Sequence, residues 1–226
     1  MIKFEPTLNP EANKLLTDDP TAFLFGVIFD QNITADQAWE KPFILKQRLD
    51  HLNILKIAEM EDDKLKAIFN EPPKLHRFPN VTAKRIKDAC KLLIDKYKGN
   101  AVSIWNDNPR CADLQRRFEL FNGIGQKKAS MATNILVRDL GIQARDKSGI
   151  DVSYDMHVRR VFLRTGLAET DDENTIIQSA RELNPGYPGG LDLPIWDIGR
   201  GWCHPTEPEC DDCPIKNVCP KIINQR

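Results

Sequence analysis

The sequence predicts an all-α fold, and three features support that prediction. Signals for the start and the end of helices recur along the chain, whereas the alternating pattern of half-buried strands is scarce. Residues 23–29 are almost entirely apolar, which predicts a helix buried on every side in the middle of a domain. Residues 83–97 carry their apolar side chains on one helical stripe. A chain of 226 residues can form one large or two small domains.

The charges of the chain nearly balance, with 32 Lys and Arg against 33 Asp and Glu. The net charge of −1 therefore gives no overall sign of nucleic-acid binding. If the protein binds DNA, its basic residues must be gathered on one face. Residues 23–29 are too few to cross a bilayer, and no basic segment of the kind that opens a signal peptide precedes them. We therefore expect a cytoplasmic protein with no membrane partner.

The buried helix is predicted to begin at residues 18–20 and to run to about Phe29, where a polar run, Asp30-Gln31-Asn32, follows at once. These polar residues are interpreted either as a helix end that satisfies its own carbonyl groups or as amides held at a binding surface. The sequence alone favours the helix end.

Prolines then divide the next part of the chain. Pro42 is predicted to break the helix that follows residue 34 or to start a new one. Residues 71–80 contain three prolines and cannot be helical throughout, yet they include Phe78, an unusual residue for a solvated loop. Thr82 is expected to cap the basic helix over residues 83–97, which Gly99 ends.

A tight turn, Gly123-Ile124-Gly125, is predicted to join two helices. Backbone N–H groups in such a turn can converge on an anion, and the positive end of the second helix lies directly behind them. The alternative is a plain helix–helix turn. Two lysines in the following first turn, Lys127 and Lys128, favour the anion site.

Lysine in the first turn of a helix is placed against the helix dipole. Lys127 and Lys128 therefore either face a bound anion or serve chemistry, since an amine that loses its proton more easily is a better nucleophile. One of them could equally be a solvated surface lysine. Further along, Asp155 precedes a helical pattern and is well placed as its N-cap, which explains the residue without any catalysis.

The last quarter of the chain contains a C-x6-C-x2-C-x5-C frame formed by Cys203, Cys210, Cys213 and Cys219. This proline-rich and acidic run cannot order itself by burying apolar area, so a disulfide pair, a zinc ion or an iron–sulfur cluster must hold it. Nothing else indicates an oxidising compartment, and zinc folds commonly use two C-x2-C pairs where this frame has one. The spacing therefore favours an iron–sulfur cluster. Cys90 and Cys111 are expected to be ordinary thiols that bind no metal.

Taken together, the hairpin with its lysine, the aspartate before a Met-His-Val-Arg-Arg-Val helix and the cysteine frame resemble the endonuclease III branch of the helix–hairpin–helix DNA glycosylases. The resemblance extends from about residue 20 to residue 219. It implies two helical domains. Residues 20–136 would form a six-helix-barrel-type domain whose helix–hairpin–helix covers about 111–136, and residues 1–19 with 137–226 would form an iron–sulfur cluster domain whose Cys loop spans 203–219.

The resemblance also implies roles for individual residues. Lys127 and Asp155 correspond to the catalytic lysine and aspartate, and the four cysteines of the frame would hold a 4Fe–4S cluster. Six further residues are expected to contact double-stranded DNA around the extruded base: Gln31, Phe78, Asn80, Gly123, Gly125 and Lys128. Gln31 would enter the place of that base, and Phe78 and Asn80 lie where the family carries an intercalating wedge.

The sequence departs from the family pattern in three places. Asn122 stands where proline usually precedes the hairpin glycine. Residues 145–152 form a longer segment than usual between Lys127 and Asp155, and residues 75–79 do not look like the wedge of enzymes that act on oxidised pyrimidines. These departures leave the expected class of enzyme unchanged, and they leave open which base is the substrate.

The expected activity is base excision repair of a damaged or mismatched base in duplex DNA by a monomeric, nucleoid-associated glycosylase. Schiff-base chemistry at Lys127 would add an AP-lyase step. The alternatives are a monofunctional glycosylase and a non-catalytic DNA-binding module with a structural metal site. A protein that only binds DNA needs the hairpin but does not need lysine and aspartate together, so their presence favours the enzyme.

Overall fold

The computed structural model describes residues 4–222, and within that range it contains α-helices and short 3-10 turns but no strand. The predicted all-α fold is confirmed. The helices of the described chain are α1 (Pro10–Asp18), α2 (Pro20–Phe29), α3 (Ala35–Leu49), α4 (Ile54–Glu59), α5 (Asp62–Asn70), α6 (Pro79–Tyr97), α7 (Cys111–Glu119), α8 (Gln126–Arg138), α9 (Met156–Arg164), α10 (Glu173–Leu183) and α11 (Asp192–Gly201).

The central helix of the first core is α2, whose residues 21–29 are all buried. Asp19 caps it, because its Oδ1 accepts hydrogen bonds from the backbone N–H of Thr21 at 2.8 Å and of Ala22 at 3.4 Å. Gly26 allows close contact with α3, since a Cβ at Gly26 would lie only 2.4 Å from the ring of Trp39. The predicted buried helix is therefore present where expected.

Two predicted helix boundaries are wrong. Pro42 lies inside α3, which continues through it because Trp39 and Leu45 on the same helix are buried in the core. Helix α6 begins at Pro79 rather than after Thr82, with Phe78 at its N-cap. Proline suits the first position of a helix because its missing N–H would have no partner there. Thr82 lies inside the first turns of α6 and donates its hydroxyl to the Phe78 carbonyl at 3.0 Å.

The buried apolar residues form two main cores. The first combines the helices from α1 to α8, and the second combines α9, α10 and α11 with Val152 and Ala168. A small third group, Cys111, Val137 and Ile150, lies between them. Phe4 and Leu16 of the N-terminal segment pack in the first core, and the division into a barrel domain and a cluster domain stays a prediction.

Two further observations concern membrane-spanning helices and the two cysteines outside the frame. No helix between residues 4 and 222 has the length and the apolar content needed to span a bilayer. Cys90 and Cys111 are buried, and burial raises the pKa of their thiols to about 12 and about 11, respectively. Both are inert thiols in the core, as predicted.

Candidate active site

The hairpin between α7 and α8 has the predicted form. Gly123 adopts φ +89°, a conformation that favours glycine, and a Cβ there would lie 2.7 Å from the Arg85 side chain. Ile124 is buried and holds the turn to the first core. Gly125 is the N-cap of α8 in an extended conformation, with open space beside its Cα. Gly125 has no side chain with which to cap α8, so the first N–H groups of the helix receive no hydrogen bond from their N-cap residue.

Lys127 and Asp155 lie together at the start of two helices. Lys127 Nζ is 3.9 Å from Asp155 Oδ2, and the side chain of Lys127 is 52% exposed whereas that of Asp155 is 7% exposed. Asp155 Oδ1 accepts hydrogen bonds from the N–H groups of His157 and Val158, each at 2.8 Å. Asp155 is thus the N-cap of α9, as the sequence predicted, and keeps its second oxygen for Lys127.

The longer segment before Asp155 is held in place by contacts with three other parts of the chain. The Ile150 carbonyl accepts a hydrogen bond from Gly189 N–H at 2.7 Å, and Ile150 packs beside Cys111 of α7. Asp151 forms a two-point ion pair with Arg181 of α10, at 2.8 and 2.9 Å. These contacts fix residues 150 and 151, shortly before Asp155, to α7, α10 and the residues around Gly189.

A cavity of about 1000 Å³, counting space open to solvent, lies beside this pair. Its walls are Lys127 and Asp155 together with Asp30, Ile33, Ala35, Met131, Asn134, Ile135, Arg138, Ser153, Met156, His157, Asp192, Leu193 and Trp196. Apolar and polar side chains are mixed in these walls, as in a pocket that binds an organic ligand.

Asp192 is a residue of this cavity that the sequence analysis missed. Its Oδ1 accepts a hydrogen bond from Ser153 N–H at 2.7 Å, and its Oδ2 accepts one from Ser153 Oγ at 3.3 Å. Burial raises its pKa to about 6, and the nearby charge of Asp155 acts in the same direction. In the sequence, Asp192 looks like an ordinary first-turn helix residue, so no signal could have identified it.

A second cavity, of about 940 Å³ including open space, adjoins the first on the hairpin side. Gln31, Gly123, Gly125, Lys127 and Lys128 are among its lining residues. Asp30 and Lys127 line both cavities, so the two spaces share one wall. The structure thus brings together predicted site residues that lie about a hundred positions apart in the chain.

Lys128 has an internal role that its sequence position did not suggest. Its side chain is buried, with 8% of the residue exposed, and Nζ donates a hydrogen bond to the Ile28 carbonyl at 3.0 Å. Burial lowers the pKa of this amine to about 8, although nearby Asp30 partly opposes that shift. Lys128 therefore ties the end of α2 to the start of α8.

Gln31, Phe78 and Asn80 all lie near the start of α6. The Gln31 carboxamide Oε1 accepts a hydrogen bond from Arg85 of α6. Phe78 is 45% exposed, and Arg77 lies over its ring at 5.5 Å. Asn80 is exposed, and its Oδ1 accepts a hydrogen bond from Asn70 at 2.7 Å. Phe78 and Asn80 are thus open to a ligand on the outside of the fold.

The cysteine frame surrounds a cavity of its own. All four frame cysteines are free thiols and line one space of about 360 Å³, counting open volume. Among residues 4–222, no group of three or more His, Cys, Asp or Glu side chains is arranged to hold a metal ion. The 4Fe–4S cluster therefore stays a prediction.

Basic residues of α9 bind the cysteine loop. Arg164 donates hydrogen bonds to Cys203 Sγ at 3.5 Å, to the His204 carbonyl at 2.6 Å and to the Pro205 carbonyl at 2.8 Å. Arg160 donates to the Cys203 carbonyl at 2.6 Å. These hydrogen bonds attach the cysteine loop to α9, the helix that Asp155 caps.

Known proteins with similar sequences are endonucleases and repair glycosylases. Endonuclease III of Rickettsia felis is 31% identical over 172 residues, which cover 73% of this chain and 66% of the relative. Endonuclease III of Rickettsia conorii is 31% identical over 153 residues, 64% of this chain and 60% of the relative. The chain thus spans about two thirds or less of these two. The protein MJ1434 of Methanocaldococcus jannaschii, provisionally named a DNA repair glycosylase, is 25% identical over 209 residues, with 88% and 87% covered.

Solved structures show the same fold. A non-covalent endonuclease III–DNA complex has a TM-score of 0.67 at 19% identity, covering 93% of this chain and 91% of that one. A thermostable thymine-DNA glycosylase has a TM-score of 0.65 at 16% identity, covering 90% and 84%. No protein-family model matches the sequence. The fold, the sequence relatives and the motif order agree, and the chain belongs to the endonuclease III-like family of DNA glycosylases.

Proposed function

We propose that this protein removes a damaged or mismatched base from duplex DNA and then cleaves the strand through an AP-lyase step at Lys127. The observation that carries the proposal is the approach of Lys127 Nζ to Asp155 Oδ2, at 3.9 Å on the wall of the large cavity. A buried carboxylate and a half-exposed amine at one cavity wall are the two groups that this chemistry needs.

The substrate base would leave the duplex before it reacts. A base inside the stack cannot be reached, so it must be extruded into a pocket at a cost of a few kcal/mol. The cavity beside Lys127 has apolar walls and several polar groups, which suit a flat heterocycle. Gln31, Phe78 and Asn80 would fill or border the gap that the base leaves.

Breaking the glycosidic bond develops positive charge on the sugar. The Asp155 carboxylate would stabilise this charge, because its buried Oδ2 faces the cavity while Oδ1 is fixed by two N–H groups. The base leaves with the bonding electron pair and takes up a proton from water. Because Asp155 is held by α9 itself, little reorganisation is needed when the charge appears.

Lys127 would then supply the covalent step. Its neutral amine attacks the anomeric carbon, and the proton released from nitrogen is taken up by Asp155. Opening of the sugar ring gives an imine between Lys127 and the anomeric carbon. Loss of a proton from the adjacent carbon then expels the 3′ phosphate and nicks the strand. Asp155 returns the proton that it took from the amine to the ring oxygen as the ring opens, and water accepts the proton lost from the adjacent carbon.

Binding to the DNA backbone would rest on the hairpin rather than on net charge. The N-terminal amides of α8 and the glycines Gly123 and Gly125 offer N–H donors to a phosphate. Lys128 was predicted to contact DNA, but its hydrogen bond to the Ile28 carbonyl supports a structural role better. The four frame cysteines would hold a 4Fe–4S cluster, which would serve as a crosslink for the C-terminal loop.

The test is to incubate the pure protein with duplexes that each carry one lesion, with and without borohydride. We expect at least one lesion to give base release, strand nicking and, with borohydride, a covalent protein–DNA product. Base release without nicking or trapping would indicate a monofunctional glycosylase. Salt-dependent binding with no base release from any duplex would contradict the proposal.

A further inference from the structure

His76 lies between the two segments that are proposed to enter the duplex. It is 4% exposed. Its Nε2 is 2.9 Å from the Gln31 carbonyl oxygen, just beyond the end of α2. Its Nδ1 is 3.0 Å from the backbone nitrogen of Phe78, at the N-cap of α6. One imidazole ring therefore spans the distance from one segment to the other.

The partners of His76 determine where its proton lies. A backbone N–H can only donate, so Nδ1 accepts from Phe78 and carries a lone pair. A carbonyl oxygen can only accept, so Nε2 carries the hydrogen and donates to Gln31. The neutral Nε2–H form satisfies both bonds. The Thr82 hydroxyl, 3.0 Å from Nδ1, donates instead to the Phe78 carbonyl at 3.0 Å.

The surroundings of the ring favour this neutral form. Desolvation by burial lowers the pKa of His76, and the cations Lys128 of α8 and Arg85 of α6 act in the same direction, while the bond to Gln31 opposes them. The ring of Phe29 packs at a centroid distance of 6.3 Å and that of Phe78 at 6.1 Å. His76 is thus held by two aromatic rings as well as at both nitrogens.

We propose that His76 is a positioning residue that sets the spacing between the Gln31 segment and the Phe78 segment, so that both fit one gap in the duplex. The proposal rests on the proposed function in one respect, namely that these two segments enter DNA. Segments fixed before binding lose less conformational freedom on binding, and that saving offsets part of the cost of extruding a base.

Two substitutions separate the two hydrogen bonds. His76→Asn places an amide oxygen near the Nδ1 position and keeps an acceptor for Phe78, but it cannot reach Gln31. His76→Gln places an amide N–H near the Nε2 position and keeps a donor for Gln31, but loses the acceptor for Phe78. The control is Ile57→Val in α4, a fully buried residue of the same core that lies outside both segments and has no hydrogen-bonding side chain.

The measured quantity is the ratio of two dissociation constants, for an undamaged duplex and for the same duplex with a tetrahydrofuran abasic-site analogue. We expect each His76 variant to lose about tenfold in this ratio, equivalent to about 1.4 kcal/mol, with unchanged affinity and salt dependence on the undamaged duplex. Ile57→Val should keep the wild-type ratio at a lower melting temperature.

A wild-type ratio in both folded His76 variants would overturn the inference while leaving the proposed function intact. Absence of any preference for the abasic duplex in the unchanged protein would overturn the proposed function and this inference with it. The unchanged protein offers a second measurement through ¹⁵N spectra of its four histidines. We expect one neutral Nε2–H imidazole that stays protected from solvent, and an Nδ1–H form at His76 would overturn the inference.

Discussion

Asp155 divides its two carboxylate oxygens between the fold and Lys127. Oδ1 accepts both N–H hydrogen bonds at the start of α9, at 2.8 Å each, whereas Oδ2 lies 3.9 Å from Lys127 Nζ. The helix cap and the proposed catalytic group are therefore the same residue. This arrangement allows a substitution that removes one role and keeps the other.

Asp155→Asn should inactivate the protein without unfolding it. Asparagine keeps an oxygen that can cap α9 but loses the charge that faces Lys127. We expect base excision in single-turnover assays to fall by at least about 100-fold, the usual scale for losing one electrostatic contact to the transition state. Asp155→Ala, which also loses the cap, should cost a further 0.5–2 kcal/mol or so in urea unfolding. An Asn variant that excises at the wild-type rate would remove Asp155 from the mechanism.

Gly125→Val should weaken DNA binding with little effect on the fold. The backbone of Gly125 is extended, at φ −108° and ψ −171°, and no atom lies within 4 Å of an added Cβ. The new side chain would stand where a phosphate is proposed to approach, so affinity for undamaged and lesion duplexes should fall together. Gly123→Val is the contrasting variant, since its φ of +89° and the adjacent Arg85 predict lower stability. Unchanged affinity and salt slope for Gly125→Val would mean that the hairpin is only a turn.

Asp192→Asn should stabilise the protein at neutral pH. Burial raises the pKa of Asp192 to about 6, above its unfolded value, so its contribution to stability is present at low pH and is lost as the pH rises through about 6. Asparagine is neutral throughout, so the gain should grow as the pH rises from the ordinary carboxyl pKa of about 4 to about 6 and stay constant above, on the order of 1 kcal/mol or more. Urea unfolding at pH 4 and pH 8 measures it. Equal differences between variant and wild type at the two pH values would show that Asp192 does not titrate in this range.

The cysteine loop should bind an iron–sulfur cluster. We expect a brown protein with about four iron and four sulfide per chain, and loss of the cluster should destabilise the C-terminal loop that Arg164 attaches to α9. Cys210→Ala should lose the colour. Cys90→Ala should keep it, because Cys90 is buried in the first core. One zinc and no iron in elemental analysis would contradict the assignment.

The local parts of the site could be predicted from the sequence because each depends on short-range rules. The hairpin glycines, the Asp155 cap and the buried helix α2 all follow from backbone and capping preferences within a few residues. The extent of α3 could not be predicted, because tertiary packing around Trp39 and Leu45 overrides the local effect of Pro42.

The parts that the sequence did not reveal depend on contacts between distant residues. Lys128 was expected to contact DNA, and nothing in its sequence position indicated a hydrogen bond to the carbonyl of Ile28, a hundred positions earlier. Asp192 acquires its raised pKa from the cavity that α8, α9 and α11 build together. His76 bonds to Gln31, which lies 45 positions earlier. None of these pairings leaves a periodic pattern in a single sequence.

The central claim is that Lys127 forms an imine with the sugar, and borohydride trapping tests it most directly. Lys127→Arg keeps a cation beside Asp155 but cannot lose a proton to become a nucleophile, so the variant should bind the lesion duplex and give no covalent product. Lys128→Met, which keeps the buried side-chain volume, should lower stability and still give the product. Trapping by the Lys127→Arg protein at the wild-type level would contradict the assignment of Lys127.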